Sequence, residues 1–546
     1  MLSTMGDVDI TIPMLFHFGR TVFPRSVVVT YEGDLATSHR STYAEVGDRV
    51  DRLAVALQGL GVGPGDCVGT LQFNTQAHLE AYFAVPSMGA VLHTLNFRLH
   101  PDQLAYIVTH ADDRVILVEG FLVPALLAVA DRIPTVTHVV VVGVVPDGTV
   151  VPETWFDYDT LLDAADPASV RWPAIAERDA MAICYTSGTT GDPKGVAYSH
   201  RSTYLHALTF MATFAIDHRD RVLPIVPMFH VNAWGMPYAG WMAGADFLMP
   251  GRFLQGGPLS AFINEEHPTF SAGVPTVWGE VLRYAETNPV ELSSLRSLVI
   301  GGSAVPPSLI AAFKERHGVQ VTQAWGMTEI SPIGSVAIPP KDVAAEGQPG
   351  YRAMTGRPVP GVLLRIADDA GVEVPHDGHS IGEIQARGPW VTTSYLGEPT
   401  PEKFATDADG SVWLRTGDVA TIDADSFIQI TDRAKDVIKS GGEWISSVDL
   451  ENTLMGHPAV REAAVVSVPD PKWDERPMAC VVLRDDVTAS VDELVAYLDG
   501  RVAKFWIPER WAFIDEVPKT STLKFDKKVL RARHAAGGLE VLTVGS

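Results

Sequence analysis

From about residue 40 to residue 145, short apolar strand-like runs alternate with stretches of helical spacing, a pattern that few architectures accept. Residues 66–73 (DCVGTLQF) read as a strand, residues 76–88 carry Leu79, Tyr82, Phe83 and Val85 at helical spacing, and residues 90–95 are strand-like again. Residues 115–118, a helix near 124–130 and residues 137–142 repeat the alternation, which predicts parallel-sheet α/β layers. A second round is expected, with candidate strands at 221–227, in the 241–249 region, and at 269–274 and 298–301. After residue 361 the runs shorten. Those at 362–366 and 382–386 lie between turn residues and predict a distorted antiparallel barrel or small sheet. The charged stretch 432–436 (DRAKD) interrupts the apolar pattern and makes a hinge. Beyond it, a helix over 447–455, strands over 462–467 and 478–483, and a helix over 490–503 suffice for an independent α+β domain. At 546 residues the chain exceeds what one hydrophobic core usually supports, so division is expected: an N-terminal domain at 1–431 and a smaller C-terminal domain at 432–546.

The loop at residues 186–195, TSGTTGDPKG, follows the strand-like run MAICY. Gly188 and its fellow glycines let backbone approach an anion, the hydroxyls of Thr186, Ser187, Thr189 and Thr190 add donors, and Lys194 adds a positive charge, which suits a polyphosphate. It is not the kinase or GTPase loop, in which Gly and Lys are adjacent, because Asp192 and Pro193 separate Gly191 from Lys194. Charge balance bears on the same point. With 42 basic against 66 acidic residues and a formal net charge of −24, the chain repels nucleic acid and anionic membrane as a whole, so an anionic substrate must meet local positive charge. Cys67, Cys184 and Cys480, odd in number and far apart, argue against a disulfide framework and a cysteine-rich zinc site, which fits a reducing, cytoplasmic setting. No basic leader opens the sequence and no run of eighteen apolar residues occurs, so an integral membrane segment is not expected.

The phosphate loop resembles the signature of the adenylate-forming enzymes, among them acyl-CoA synthetases, aryl-CoA ligases, luciferases and peptide-synthetase adenylation domains. The resemblance extends over roughly residues 30–530, with further signatures in the family's order. Residues 323–329 (QAWGMTE) resemble the adenine-side motif: Trp325 stands where Tyr is common but keeps a π-face, Gly326, Met327 and Thr328 join the nucleotide set, and Glu329 helps hold magnesium. Upstream, Gly302, Ser303 and Ala304 follow a strand with a loop whose small residues admit a flat base. Residues 411–418 resemble the ribose motif, in which Asp418 accepts from both ribose hydroxyls, with Arg433 and Lys435 nearby. Asp432 matches the hinge residue. Residues 439–445 (KSGGEWI) resemble the glycine loop that enters the site during thioester formation, which assigns Lys439, Gly441, Gly442, Glu443 and Trp444 to the coenzyme A step. Residues 518–525 (PKTSTLKF) resemble the segment of the adenylation lysine, so Lys524 takes that role. Leu523 replaces the usual Gly; if the loop needs φ > 0 there, the cost is about 1–2 kcal/mol and adenylation slows.

The resemblance implies an α/β fold with a large N-terminal domain of stacked α/β subdomains plus a small distorted β-barrel, and a mobile C-terminal α+β domain. It also implies an ATP-dependent, AMP-forming carboxylic acid:CoA ligase. The carboxylate attacks the α-phosphorus of ATP and expels pyrophosphate, and the thiol of coenzyme A then takes the acyl group. Such chemistry is positioning and charge neutralisation without a protein nucleophile. The catalytic set is Lys524, Thr186, Glu329 and His230, with Thr186 and Glu329 as oxygen ligands for Mg²⁺. In residues 227–234 (PMFHVNAW), His230 matches a position beside the acyl carboxylate and Trp234 an aromatic gate. Val231, Val274 and Trp278 complete a largely apolar pocket. The runs HVNAWGMPYAG and GGEWISSVDLEN resemble bacterial fatty-acid ligases, so a medium- or long-chain fatty acid is expected. The alternatives are a short-chain, thioether or aryl acid in the same mechanism, a luciferase-like oxygenase, or an acyl-adenylate-binding relative with weak catalysis. Relatives are often homodimers.

Overall fold

Two large, mostly parallel sheets share one core through the helices between them. In the first, seven strands run edge to edge as Phe156–Asp157, His138–Val142, Asp113–Glu119, Cys67–Leu71, Val91–Thr94, Ala180–Tyr185 and Gly195–Ser199, and all but the last pair are parallel. In the second, nine strands run as Arg357–Pro358, Ile333–Val336, Val321–Gly326, Ser297–Gly301, Phe270–Gly273, Arg221–Pro224, Asp246–Met249, Val27–Thr30 and His39–Thr42, antiparallel only at the edges. The computed structural model describes all residues except 2, 187–191, 369, 398, 434, 441–442, 521–523 and 545–546, and omits the side chains of Glu443 and Trp444.

Helix Gln76–Ser87 shows why the two sheets form a single body. Every one of its residues but Ala77 is buried, and it touches strands of both sheets. A helix apolar on all sides belongs inside a protein. Its one acid, Glu80, is fully buried but satisfied: Arg49 Nε lies 2.7 Å from Oε1, and Tyr158 donates its hydroxyl to Oε2 at 2.6 Å. Helix Met236–Ala243 is likewise buried throughout, and its Trp241 stacks on Tyr43 at 3.8 Å between ring centroids. Burial of each such side chain contributes about 1.5–3 kcal/mol.

The expected strand in the 241–249 region is a strand only over Asp246–Met249, because Trp241–Ala243 finish that helix. The expected barrel or small sheet is a five-stranded antiparallel sheet. Its path is Leu363–Ala367, Gly382–Arg387, Val412–Ile422 and Phe404–Thr406, with Ile428–Arg433 also pairing to Val412–Ile422, and no pairing among the described residues closes it into a barrel. Strand Ile428–Arg433 runs through the 431/432 position expected to divide the domains. The C-terminal region is built on six strands, Glu443–Ile445, Ile438–Ser440, Asp474–Leu483, Arg510–Phe513 and Leu542–Thr543, with Val460–Asp470 along Asp474–Leu483. Its helix expected at 490–503 spans Val491–Leu498, opened by a capping box of Ser490 and Glu493 and followed by Gly500 at φ 75°. Among the described residues, no helix is long and apolar enough to cross a membrane.

Candidate active site

A cleft of about 980 Å³ lies where the nine-stranded sheet, the five-stranded sheet and the C-terminal region meet, within the size range of ligand pockets. Thr186 enters it from the end of strand Ala180–Tyr185. Its N–H donates to the Lys194 carbonyl at 2.9 Å, and the Lys194 N–H donates to Thr186 Oγ1 at 3.2 Å, so the two ends of the loop are tied together. The loop candidates Ser187, Gly188, Thr189 and Thr190 lie outside the described residues. Lys194 holds its ammonium 5.2 Å above the ring centroid of Tyr395.

Glu329 sits in the short turn Thr328–Ile330 and is buried. Tyr395 donates its hydroxyl to Glu329 Oε1 at 2.7 Å, and Tyr198 donates to the Thr328 carbonyl at 2.7 Å. Glu329 Oε2 has no hydrogen-bond partner among the described residues. The Glu329 carboxylate and the Thr186 hydroxyl, both on the cleft lining, fit Mg²⁺, a hard cation that keeps most of its shell for water and phosphate. Among the described residues, no group of three His, Cys, Asp or Glu side chains offers an all-protein metal cage.

On the nucleotide side, Asp418 and Arg433 face each other across an antiparallel pair, which brings Arg433 Nε to 3.3 Å from Asp418 Oδ1. Trp325 reaches over from the nine-stranded sheet and donates its indole N–H to Asp418 Oδ2 at 2.8 Å. Gly302 turns at φ 83°, and a Cβ there would stand 3.4 Å from Val274 Cγ1 and 3.9 Å from Lys524 Cε. Gly302, Ser303, Ala304, Gly326, Met327, Thr328 and Lys435 also line the cleft.

Lys524 is carried in from the C-terminal region and half-buried. Burial first, then the charges of Arg433 and Lys435 against Asp418 and Glu329, push its ammonium down to a pKa of about 8. His230 lines the same cleft, and burial, with Lys524 and Arg98 adding positive charge beside it, lowers its pKa to about 3. Its imidazole is therefore neutral at physiological pH. After it the backbone makes a left-handed turn: Val231, Asn232, Ala233 and Trp234 have φ of 47°, 49°, 49° and 59°. Such residues are strained there. The turn is held from below, since Tyr82 O–H (3.4 Å) and Cys184 S–H (3.3 Å) both point at Asn232 Oδ1. Val231 and Trp234 thereby face the cleft.

Some expected residues are not brought to it. Trp278 turns into the core, fully buried against Phe313, because the indole fills the space above Gly273. Val274 stands behind Gly302 and not on the lining. Lys439 is exposed on strand Ile438–Ser440, outside the lining, and its N–H donates to Glu475 at 2.9 Å. Gly441 and Gly442 lie outside the described residues, as do the side chains of Glu443 and Trp444 and the whole of Leu523. Sequence reading missed Tyr395, Tyr198 and Tyr82, whose partners are distant in the chain and leave no spacing signal. It also missed a buried network around Asp432. Asp432 accepts from Ser447 N–H at 2.8 Å and from its hydroxyl, which in turn accepts from Lys527 at 2.6 Å, while Lys527 pairs with Glu451 at 2.7 Å.

Comparison with known proteins matches two stretches of the chain. The AMP-binding enzyme family matches residues 20–396 and the AMP-binding enzyme C-terminal domain matches residues 449–524. A long-chain-fatty-acid–CoA ligase of Thermus thermophilus is 46% identical over 540 residues, 97% of each chain. A 3-methylmercaptopropionyl-CoA ligase of Ruegeria lacuscaerulensis is 42% identical over 97% of this chain and 98% of its own, and a medium-chain-fatty-acid–CoA ligase of Ectopseudomonas oleovorans 41% over 98% of each. In three dimensions the anthranilate CoA ligase AuaEII, solved with anthranoyl-AMP, superposes with a TM-score of 0.87 at 26% identity, covering 98% of this chain and 100% of that one.

Proposed function

Because the chain belongs to the AMP-binding enzyme family, we infer that it is an ATP-dependent, AMP-forming ligase that joins a medium- or long-chain fatty acid to coenzyme A. The observation that carries this reading is the meeting of Lys524, Glu329, Asp418, Arg433 and His230 around one cleft, contributed by segments from residue 230 to residue 524.

The chemistry follows from those side chains. Asp418 accepts from the ribose hydroxyls, Trp325 stacks on the base, and Lys194 with the loop amides receives the outer phosphates. Lys524, protonated below about pH 8, neutralises charge as the carboxylate oxygen bonds to the α-phosphorus and pyrophosphate leaves. His230, neutral, gives a hydrogen bond to the acid without trapping it in an ion pair. Glu329 and Thr186 would hold Mg²⁺, which when bound supplies further charge neutralisation to the phosphates. Thioester formation then transfers the acyl group from AMP to sulfur, releasing AMP and the thiol proton. Lys439, Gly441, Gly442, Glu443 and Trp444 would serve that half after the C-terminal region turns about Asp432.

Pyrophosphate release, with and without coenzyme A, across acids from propionate to C18 and including benzoate and 3-methylmercaptopropionate tests this. A maximum among C8–C16 acids supports the reading. A maximum at a short thioether acid favours the second reading, for which the 42% identity to a 3-methylmercaptopropionyl-CoA ligase speaks. Lys524→Ala is expected to abolish acyl-adenylate formation but spare thioester formation from supplied acyl-adenylate; equal loss of both halves would remove Lys524 from this role.

A further inference from the structure

Stacking on a base requires only the face of an aromatic ring, yet the edge of Trp325 is engaged as well. Trp325 belongs to the nine-stranded sheet and Asp418 to the five-stranded sheet, and the 2.8 Å hydrogen bond from indole N–H to Oδ2 joins them. The other oxygen, Oδ1, lies 3.3 Å from Arg433 Nε. Asp418 is only 5% exposed. The indole N–H on one oxygen and the Arg433 charge beside the other therefore oppose rotation of the carboxylate about its Cβ–Cγ bond, while each oxygen keeps lone-pair capacity for the cleft. The indole is itself fixed, since it fills the space left by Gly334, where a Cβ would fall 2.5 Å from Trp325 Cζ3. A tyrosine in this place carries its polar atom at the tip of the ring, in line with Cβ, and offers no donor at the side edge.

We propose that Trp325 is a positioning residue whose indole N–H fixes the Asp418 carboxylate to receive both vicinal hydroxyls of a ribose, and so sets the preference for ribonucleotides over 2′-deoxyribonucleotides. The proposal rests on the nucleotide reading of the cleft given above. A carboxylate free to rotate follows whichever hydroxyl remains and loses little when one is missing. A carboxylate held in place makes the second bond only with a ribose, so preorganisation appears as discrimination.

The experiment uses the full-length protein and compares ATP with 2′-deoxyATP, by pyrophosphate release and by calorimetric binding. Trp325→Phe keeps a ring face and deletes the donor. Trp325→3-benzothienylalanine replaces N–H by sulfur at nearly unchanged shape and keeps the test available if the phenylalanine variant does not fold. The ratio of kcat/KM for ATP over 2′-deoxyATP is expected to fall on the order of tenfold, the scale of one hydrogen bond to a charged group, with the KM for the acid unmoved. In an Asp418→Ala background the same change at 325 is expected to leave the ratio as it is. Equal weakening of both nucleotides, or an unchanged ratio, would overturn the proposal and leave Trp325 a stacking surface only. If the wild-type chain released no pyrophosphate with any acid, the ligase reading would fall, while the calorimetric ratio would still decide the role of Trp325.

Discussion

At the scale of single residues, the site works by moving side chains away from their ordinary ionisation. In the proposed reaction Lys524 must be an ammonium to neutralise phosphate charge, and its pKa is lowered to about 8. The value of kcat/KM for ATP in pyrophosphate release, which reports the free enzyme, is therefore expected to fall as pH rises through about 8 and not near 10. Lys524→Arg should push that limb upward while lowering the plateau, and a pH–rate profile of each decides it. Tyr395 supplies the second prediction. Its hydroxyl fixes Glu329 Oε1, so Tyr395→Phe should raise the Mg²⁺ concentration for half-maximal activity about fivefold, equivalent to roughly 1 kcal/mol, with the KM for the acid unchanged. Thr186, Glu329, Asp418, Arg433 and Lys524 stand in recognisable strings, and all five line the cleft. Tyr395 was not legible in this way: it follows an ordinary turn and meets Glu329 across 66 positions. Trp278 failed in the opposite way, since an indole beside a candidate pocket and an indole in the core look alike in one dimension.

At the scale of elements, the turn Val231–Trp234 is the least readable part of the site. A β-branched residue and a tryptophan at positive φ break the rule that reserves such backbone for glycine, so the string offers no local cue to its shape. The conformation persists because Asn232 is held from beneath and Gly235 closes the turn at φ 77° against His206. Ala233→Gly relieves one strained position without touching the anchor and is expected to stabilise the protein by about 1 kcal/mol. Asn232→Ala should destabilise it and broaden the chain-length profile. Urea midpoints and relative kcat/KM for C6 to C16 acids distinguish the two. The helical and strand periods around the turn were legible, apart from Trp241–Ala243, where a uniformly apolar run ends a buried helix before a strand begins.

At the scale of the molecule, alternation announced parallel sheets, but which strands become neighbours was hidden. Strand Val27–Thr30 pairs with Asp246–Met249 across more than two hundred residues, a choice made by the shared core and not by either segment. The network around Asp432 is equally non-local, and it predicts that the C-terminal region melts on its own when broken. Lys527→Met leaves the buried Glu451 without its partner, worth about 3–5 kcal/mol, and should add an early calorimetric transition absent from wild type. One contact described above reaches further. Lys524 is among the charges that hold down the basicity of His230. In the proposed reaction, withdrawing the lysine as the C-terminal region turns would raise the proton affinity of the imidazole at the moment a thiol needs to lose a proton. By reciprocity, acid that protonates His230 favours the withdrawn arrangement. Under that proposal the molecule would couple shape to acidity, and the pH of its surroundings would weigh on how its time is divided between the two halves of the reaction.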